Sequence, residues 1–219
     1  MSITKFIDYL AKEKKYSPHT ITAYSKDLNL FSAFCADEFD ESTIDHIDYP
    51  LIRSWIVSLV ESGKSNRTIN RKISVLRSYY NFLLRVEVRD TNPLRKHTPL
   101  KETKKVQLPF TENEVSQLLN GDHFSNDYTG VLINTIIETL YCTGMRRAEL
   151  IQLQSNAVDF AAATLKVIGK RNKERIIPII PSLGEQLKRY RLAVQEKFPL
   201  EQSPFFFCTE KGEKLSENF

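Results

Sequence analysis

From residue 3 to about residue 85 apolar side chains recur every three or four positions, the spacing that lines one face of an α-helix. Ile3, Phe6, Ile7 and Leu10 make the first stripe, and Ile21, Tyr24, Leu28, Phe31 and Cys35 the second. Ser17-Pro18 opens that second helix, with serine as N-cap and proline at the first helical position, where its missing N–H is no loss. A third helix is predicted from near Pro50 through Ile52, Trp55, Ile56 and Leu59 to a stop near Gly63, and a fourth from near Ser65 to Arg85. Four helices with short connections predict a small bundle over residues 1–90.

Periodicity then disappears. Between Asn92 and Pro109 the chain collects Pro93, Pro99, Lys101, Lys104, Lys105 and Pro109, which predicts an extended basic linker at 91–106. Thr111 with Glu114 three residues later is a capping box that starts a second domain, 107–219, and leads into Val115, Leu118 and Leu119. Further helices are predicted over Tyr128–Leu140 and Arg146–Leu153, on either side of a glycine turn. From Val158 the period changes to two. Val158–Phe160, Thr164–Ile168 and Arg175–Ile179 read as three short strands, the last two joined by a hairpin at 169–174. Pro181-Ser182 opens a last helix carrying Leu183, Leu187, Tyr190 and Val194, and Pro204–Phe207 is an apolar piece suited to the core. The fold class expected is mainly α with a small antiparallel β-sheet.

Composition changes this picture little. A chain of 219 residues that is 41% hydrophobic and 26% charged is ordinary for a folded protein, and its length suits two domains. A net charge of +4 permits a nucleic-acid partner without requiring one. The three cysteines, Cys35, Cys142 and Cys208, are far apart and form no C-x-x-C pair, so neither a disulfide framework nor a zinc ribbon is expected. No apolar run approaches the ~20 residues that span a bilayer, and the start carries an amphipathic pattern rather than a leader. A cytoplasmic protein with no membrane partner is expected.

The distribution of charge is more telling than its sum. On a helical wheel Arg67, Arg71, Ser74, Ser78, Asn81 and Arg85 share one arc, with Lys64 just upstream, opposite Ile69, Ile73, Leu76, Tyr80 and Leu83. Solvated helix faces usually mix signs, yet from Ser62 to Val86 there is neither Asp nor Glu. Arginines interleaved with serine and asparagine suit phosphates and base edges of a DNA groove.

Two further clusters carry candidate chemistry. Thr143-Gly144-Met145-Arg146-Arg147-Ala148-Glu149-Leu150 puts arginine at a helix start, where the dipole disfavours a cation unless an anion binds beside it. Spacing alone does not choose between Arg146 and Arg147. The hairpin Ile168-Gly169-Lys170-Arg171-Asn172-Lys173-Glu174-Arg175 sets Lys170, Arg171, Lys173 and Arg175 against one acid.

These segments resemble tyrosine site-specific recombinases of the Xer and phage-integrase type. The first is similar to their T-G-[LM]-R-x-[SA]-E-L motif, and Val167–Pro178 to their hairpin V-x-G-K-G-x-K-x-R-x-[IV]-P, with Arg171 standing where the pattern has glycine. Tyr16–Tyr24 with Asp27-Leu28 resembles the first helices of the family's core-binding, SAM-like domain, and Arg67–Arg77 its DNA-facing helix. The resemblance implies catalytic roles for Arg146, on the non-bridging oxygens of the scissile phosphate, and Lys170, as general acid to the departing 5′-oxygen. It implies DNA contacts from Lys64, Arg67, Arg71, Lys72, Ser74, Arg77 and Ser78, and from Lys104, Lys105, Arg171 and Lys173. It implies no cofactor and no metal: a tyrosine attacks the phosphate, a 3′-phosphotyrosyl bond conserves its energy, and a 5′-hydroxyl reverses the step. The partners implied are a double-stranded recombination site and three further recombinase copies, or copies of a paired recombinase, in a tetramer on DNA.

The family's H-x-x-R motif and nucleophilic tyrosine are expected beyond the stretch Phe205–Leu215, so the catalytic domain is read as incomplete and these residues as binding DNA without cleaving it. His19, His46, His97 and His123 are scattered and read as surface or structural. Two rivals remain: a non-catalytic DNA-binding competitor of a full-length recombinase, and a helical protein-interaction domain.

Overall fold

The computed structural model describes residues 2–219 except 104, 105, 107, 121, 122, 170, 171, 200–202 and 218. It divides into two compact units, Met1–Val106 and Gln107–Phe219.

The first unit holds helices α1 (Ser2–Lys12), α2 (Pro18–Phe39), α3 (Tyr49–Glu61) and α4 (Asn66–Arg85). Their starts follow from capping chemistry. Ser17 and Ser65 lie in extended backbone and their hydroxyls accept the Thr20 and Thr68 N–H groups, satisfying donors that have no partner inside the helix. Gly63 lies just past α3 at a φ of 74°, a left-handed backbone that glycine adopts without strain. The apolar stripes meet in one core of Phe6, Leu28, Phe31, Ile52, Trp55, Ile69, Leu76 and Leu83. Aromatic edges and faces fill it, with Phe31 4.8 Å from Trp55 and Phe6 edge-on to Tyr79 at 5.4 Å.

Residues 92–102 do not run free of this bundle. Leu94 is buried in it and Leu100 packs against it, while Asn66, Asn70, Arg77 and Asn81 of α4 hydrogen-bond to the segment. The extended linker expected there is thus, through Glu102, a strap on α4. Its loss of periodicity reflects irregular backbone held by side-chain amides.

The second unit contains α5 (Glu112–Asn120), α6 (Tyr128–Thr143), α7 (Arg147–Ile151), a 3-10 turn at Ser155–Ala157, strands β1 (Val158–Asp159), β2 (Thr164–Ile168) and β3 (Glu174–Pro178), and α8 (Pro181–Lys197). Thr111 and Glu114 form the capping box, each accepting the other's backbone N–H. Packing of α6 on α8 brings Leu132, Ile136, Leu183, Leu187 and Tyr190 together with Phe206 and Phe207. The sheet is antiparallel in the order β1-β2-β3, with Leu165 opposite Ile177 and Val167 opposite Arg175. Leu165 and Val167 face the core, whereas Lys166 and Ile168 face out. The third strand begins and ends one residue earlier than periodicity suggested, because Glu174 pairs with Ile168 while Ile179 gives its N–H to Ala163.

Candidate functional site

Gly144 ends α6 at a φ of 59°, with its N–H on the Leu140 carbonyl. Nothing within 4 Å would meet an added Cβ there, so the need for glycine lies in the backbone conformation alone. The chain turns through Met145 into α7, leaving Arg146 as the extended N-cap.

Arg146 has no cap side chain of its own. Instead Glu149, three residues on, reaches back. One of its oxygens, Oε2, accepts the Arg146 backbone N–H at 2.8 Å and Arg175 Nη2 at 2.7 Å. The other, Oε1, accepts Arg146 Nη1 and Arg175 Nη1, both at 2.8 Å. The Glu149 side chain is only 4% exposed, yet its pKa falls to about 2, because the hydrogen bonds from Arg175 and from Arg146 outweigh the cost of burial. A buried, ionised carboxylate therefore ties the start of α7 to β3. Two guanidiniums on one carboxylate leave one positive charge over, and the Arg146 side chain is 66% exposed, so the surplus faces solvent.

The hairpin comes close to this cluster. A Cβ on Gly169 would lie 3.1 Å from Glu149 Oε1 and 3.2 Å from Arg175 Nη1, and the Gly169 N–H reaches the Lys173 carbonyl at 2.7 Å. Lys170 and Arg171, which follow Gly169 in sequence, lie outside the described residues, as do Lys104 and Lys105. Lys173 and Arg147 are exposed, and Lys166 pairs with Glu174 across the strands at 2.9 Å.

In the first unit Lys64, Arg67, Arg71 and Ser74 are exposed. The Ser74 and Ser78 hydroxyls turn back to the Asn70 and Ser74 carbonyls, four residues earlier, and Arg77 Nη2 donates to the His97 carbonyl. Lys72 departs from the expected set. Its side chain is 8% exposed and its Nζ lies 2.6 Å from Asp27 Oδ1, inside the bundle. The reason is position on the wheel, since residue 72 falls between the buried Ile69, Ile73 and Leu76. Asp27 also takes Arg71 through both nitrogens, at 2.5 and 3.2 Å, so the acid-free stretch of α4 borrows a carboxylate from α2. Sequence reasoning missed Asp27, Glu149 and Arg175 as working residues. Each had a signal: Asp27 stands on the apolar stripe of its helix, and the other two stand within the quoted motifs.

None of the tyrosines stands against the Glu149 cluster in any described contact. Tyr190 is fully buried, its hydroxyl bonded to the Tyr128 hydroxyl and the Cys208 N–H, and burial pushes its pKa upward. Tyr141 is exposed on α6. Among the described residues no three His, Cys, Asp or Glu side chains converge as a metal site, and no helix is long and apolar enough to cross a membrane.

Comparison with known proteins bears on both units. Residues 3–87 match the model of the phage integrase N-terminal SAM-like domain, and residues 109–218 that of the phage integrase family. The chain is 33% identical over 220 residues to a tyrosine recombinase XerC of Bacillus licheniformis, covering 98% of this chain and 71% of that protein. It is 33% identical over 196 residues to the XerC of Pediococcus pentosaceus, covering 90% and 65%. The chain thus spans about two thirds of the length of these relatives. Among solved structures, an integrase of the transposon Tn1549 in complex with a circular intermediate DNA superposes with a TM-score of 0.74 at 16% identity, over 99% of this chain and 74% of that one. A lambda integrase tetramer bound to a Holliday junction gives 0.70 at 14% identity, over 99% and 61%. The two domain models and the extent of identity place the chain, plainly, in the phage integrase family of tyrosine recombinases.

Proposed function

We propose that these 219 residues are the DNA-gripping part of a site-specific recombinase that cuts and rejoins strands through a 3′-phosphotyrosyl intermediate. The observation that carries the reading is the Glu149 cluster. Its carboxylate is buried and ionised: two hydrogen bonds from Arg175 anchor it, one from the Arg146 backbone N–H fixes the helix start, and one from Arg146 Nη1 aims the exposed guanidinium. Such preorganised positive charge stabilises a phosphorane-like transition state without reorganising as charge builds.

Arg146 then contacts the non-bridging oxygens of the scissile phosphate, Glu149 positions it, and Lys170 protonates the departing 5′-oxygen. Arg171 and Lys173 of the hairpin, Lys104 and Lys105, and Lys64, Arg67, Arg71, Ser74, Arg77 and Ser78 of the first unit contribute DNA contacts. The partner is double-stranded DNA, and the active assembly is a tetramer of recombinase chains on two duplexes. No metal is needed, because the cations take its place.

The attacking tyrosine is none of the nine in this sequence. On a duplex nicked beside its recombination site, which traps covalent intermediates, the 219-residue chain should bind without forming an adduct that survives SDS. A phosphotyrosyl adduct would refute that assignment. Weaker binding in Arg146→Ala, with Glu149 intact and the salt slope shallower by about one, would support the phosphate contact.

A further inference from the structure

The strap at 92–102 runs antiparallel to α4 in a fixed register. Asn92 Nδ2 bonds the Arg77 carbonyl and Asn81 Oδ1, the His97 carbonyl accepts Arg77 Nη2, Leu100 pairs with Asn70, and the Lys101 carbonyl accepts Asn66 Nδ2. Residues 66, 70, 77 and 81 form one stripe of the helix, beside the arc that presents Arg67 and Arg71. The chain therefore returns from the C-terminal end of α4 to its first turn before leaving the unit.

Asn70 is the central clasp. Its Oδ1 accepts the Leu100 N–H at 2.9 Å, while its Nδ2 donates to the Leu100 carbonyl at 2.8 Å and to Glu102 Oε1 at 2.9 Å. One carboxamide thus engages both backbone groups of Leu100, as a neighbouring strand would. Leu94 anchors the upstream end in the core.

We propose that Asn70 is a positioning residue for DNA binding: by holding the strap at Leu100–Glu102 it sets the length and departure point of the tether between the units, next to the basic arc of α4. This rests on the reading that both units grip one duplex. Releasing the strap back to His97, which Arg77 still holds, lengthens the stretch to α5 about 1.5-fold, and effective concentration falls as about the −3/2 power of length, so affinity for a duplex that engages both units drops about 2-fold.

Two arms test this on the 219-residue chain. Hydrogen exchange without DNA reads the clasp: the Leu100 amide should exchange about ten-fold faster in Asn70→Ala, and Glu102→Ala, which keeps both bonds to Leu100, should change it less. An unchanged Leu100 rate in Asn70→Ala overturns the clasp. Affinity for a long duplex across a salt series reads the function, at a temperature where circular dichroism shows the variant folded. Asn70→Ala should weaken binding about 2-fold with the salt slope unchanged, because no phosphate contact is lost, whereas Arg67→Ala should flatten the slope by about one. Faster exchange with unaltered affinity overturns the role on DNA. A flattened slope in Asn70→Ala overturns positioning in favour of direct contact. A wild-type chain that shows no salt-dependent binding removes the underlying reading, while the exchange arm still decides the clasp.

Discussion

At the scale of single residues, Glu149 has the largest consequences. Replacing it by glutamine leaves a neutral acceptor for two guanidiniums, and each charged hydrogen bond is worth more than a neutral one. Because Arg146 and Arg175 keep part of their surface in solvent, the loss stays below that of a fully buried pair. Glu149→Gln should destabilise the second unit by about 2 kcal/mol in urea unfolding. The pH dependence has a definite sign. The folded pKa of about 2 lies below the ordinary 4.5, so the carboxylate's contribution is fully present above about pH 4.5 and is lost as pH falls toward 2. Acid titration of the wild type should show that loss in the second unit, and Glu149→Gln should show a flatter profile over the same range; equal profiles would mean that other groups dominate. The motif made Arg146 legible in the sequence. Glu149 stood in the same motif, but its burial depends on a hairpin 20 or more residues away folding over it, which no local pattern expresses.

At the scale of elements, α4 carries two opposed requirements on one helix. Its buried side contributes Ile69, Ile73, Leu76, Tyr80 and Leu83 to the core, and its other side presents cations. Lys72 falls on the wrong side of that division and is accommodated by Asp27. Asp27→Asn leaves a buried ammonium without its carboxylate, so unfolding should become easier by about 3 kcal/mol. Lys72→Met keeps the volume and leaves Arg71 on Asp27, and it should cost much less without altering the salt dependence of DNA binding. A flatter salt slope in Lys72→Met would show that Lys72 reaches phosphate after all. The cap is a separate contribution: Ser65→Ala should cost about 1 kcal/mol by removing the acceptor of the Thr68 N–H. The helices were readable because stripe, cap and stop agree at each one. The strap was not readable, since amide side chains gripping irregular backbone have no period. Asn66 and Asn70 look in sequence like ordinary members of a polar face.

At the scale of the whole molecule, two units with separate cores are joined by a segment whose first part is fastened to α4. Both candidate surfaces are built alike. An acidic side chain buried in the unit, Asp27 in one and Glu149 in the other, organises a pair of cations of which one stays largely open to solvent. Modest net charge is then compatible with strong local fields, and this is why +4 alone said so little. The measurement that tests the account most directly is the affinity of the 219-residue chain for duplex DNA as salt is varied, with Arg67→Ala and Arg146→Ala alongside. The account predicts a logarithmic affinity that falls linearly with the logarithm of salt, by about 0.9 for each phosphate neutralised, and a slope shallower by about one in each variant. Binding that ignores salt, or two variants that titrate like the wild type, would contradict it.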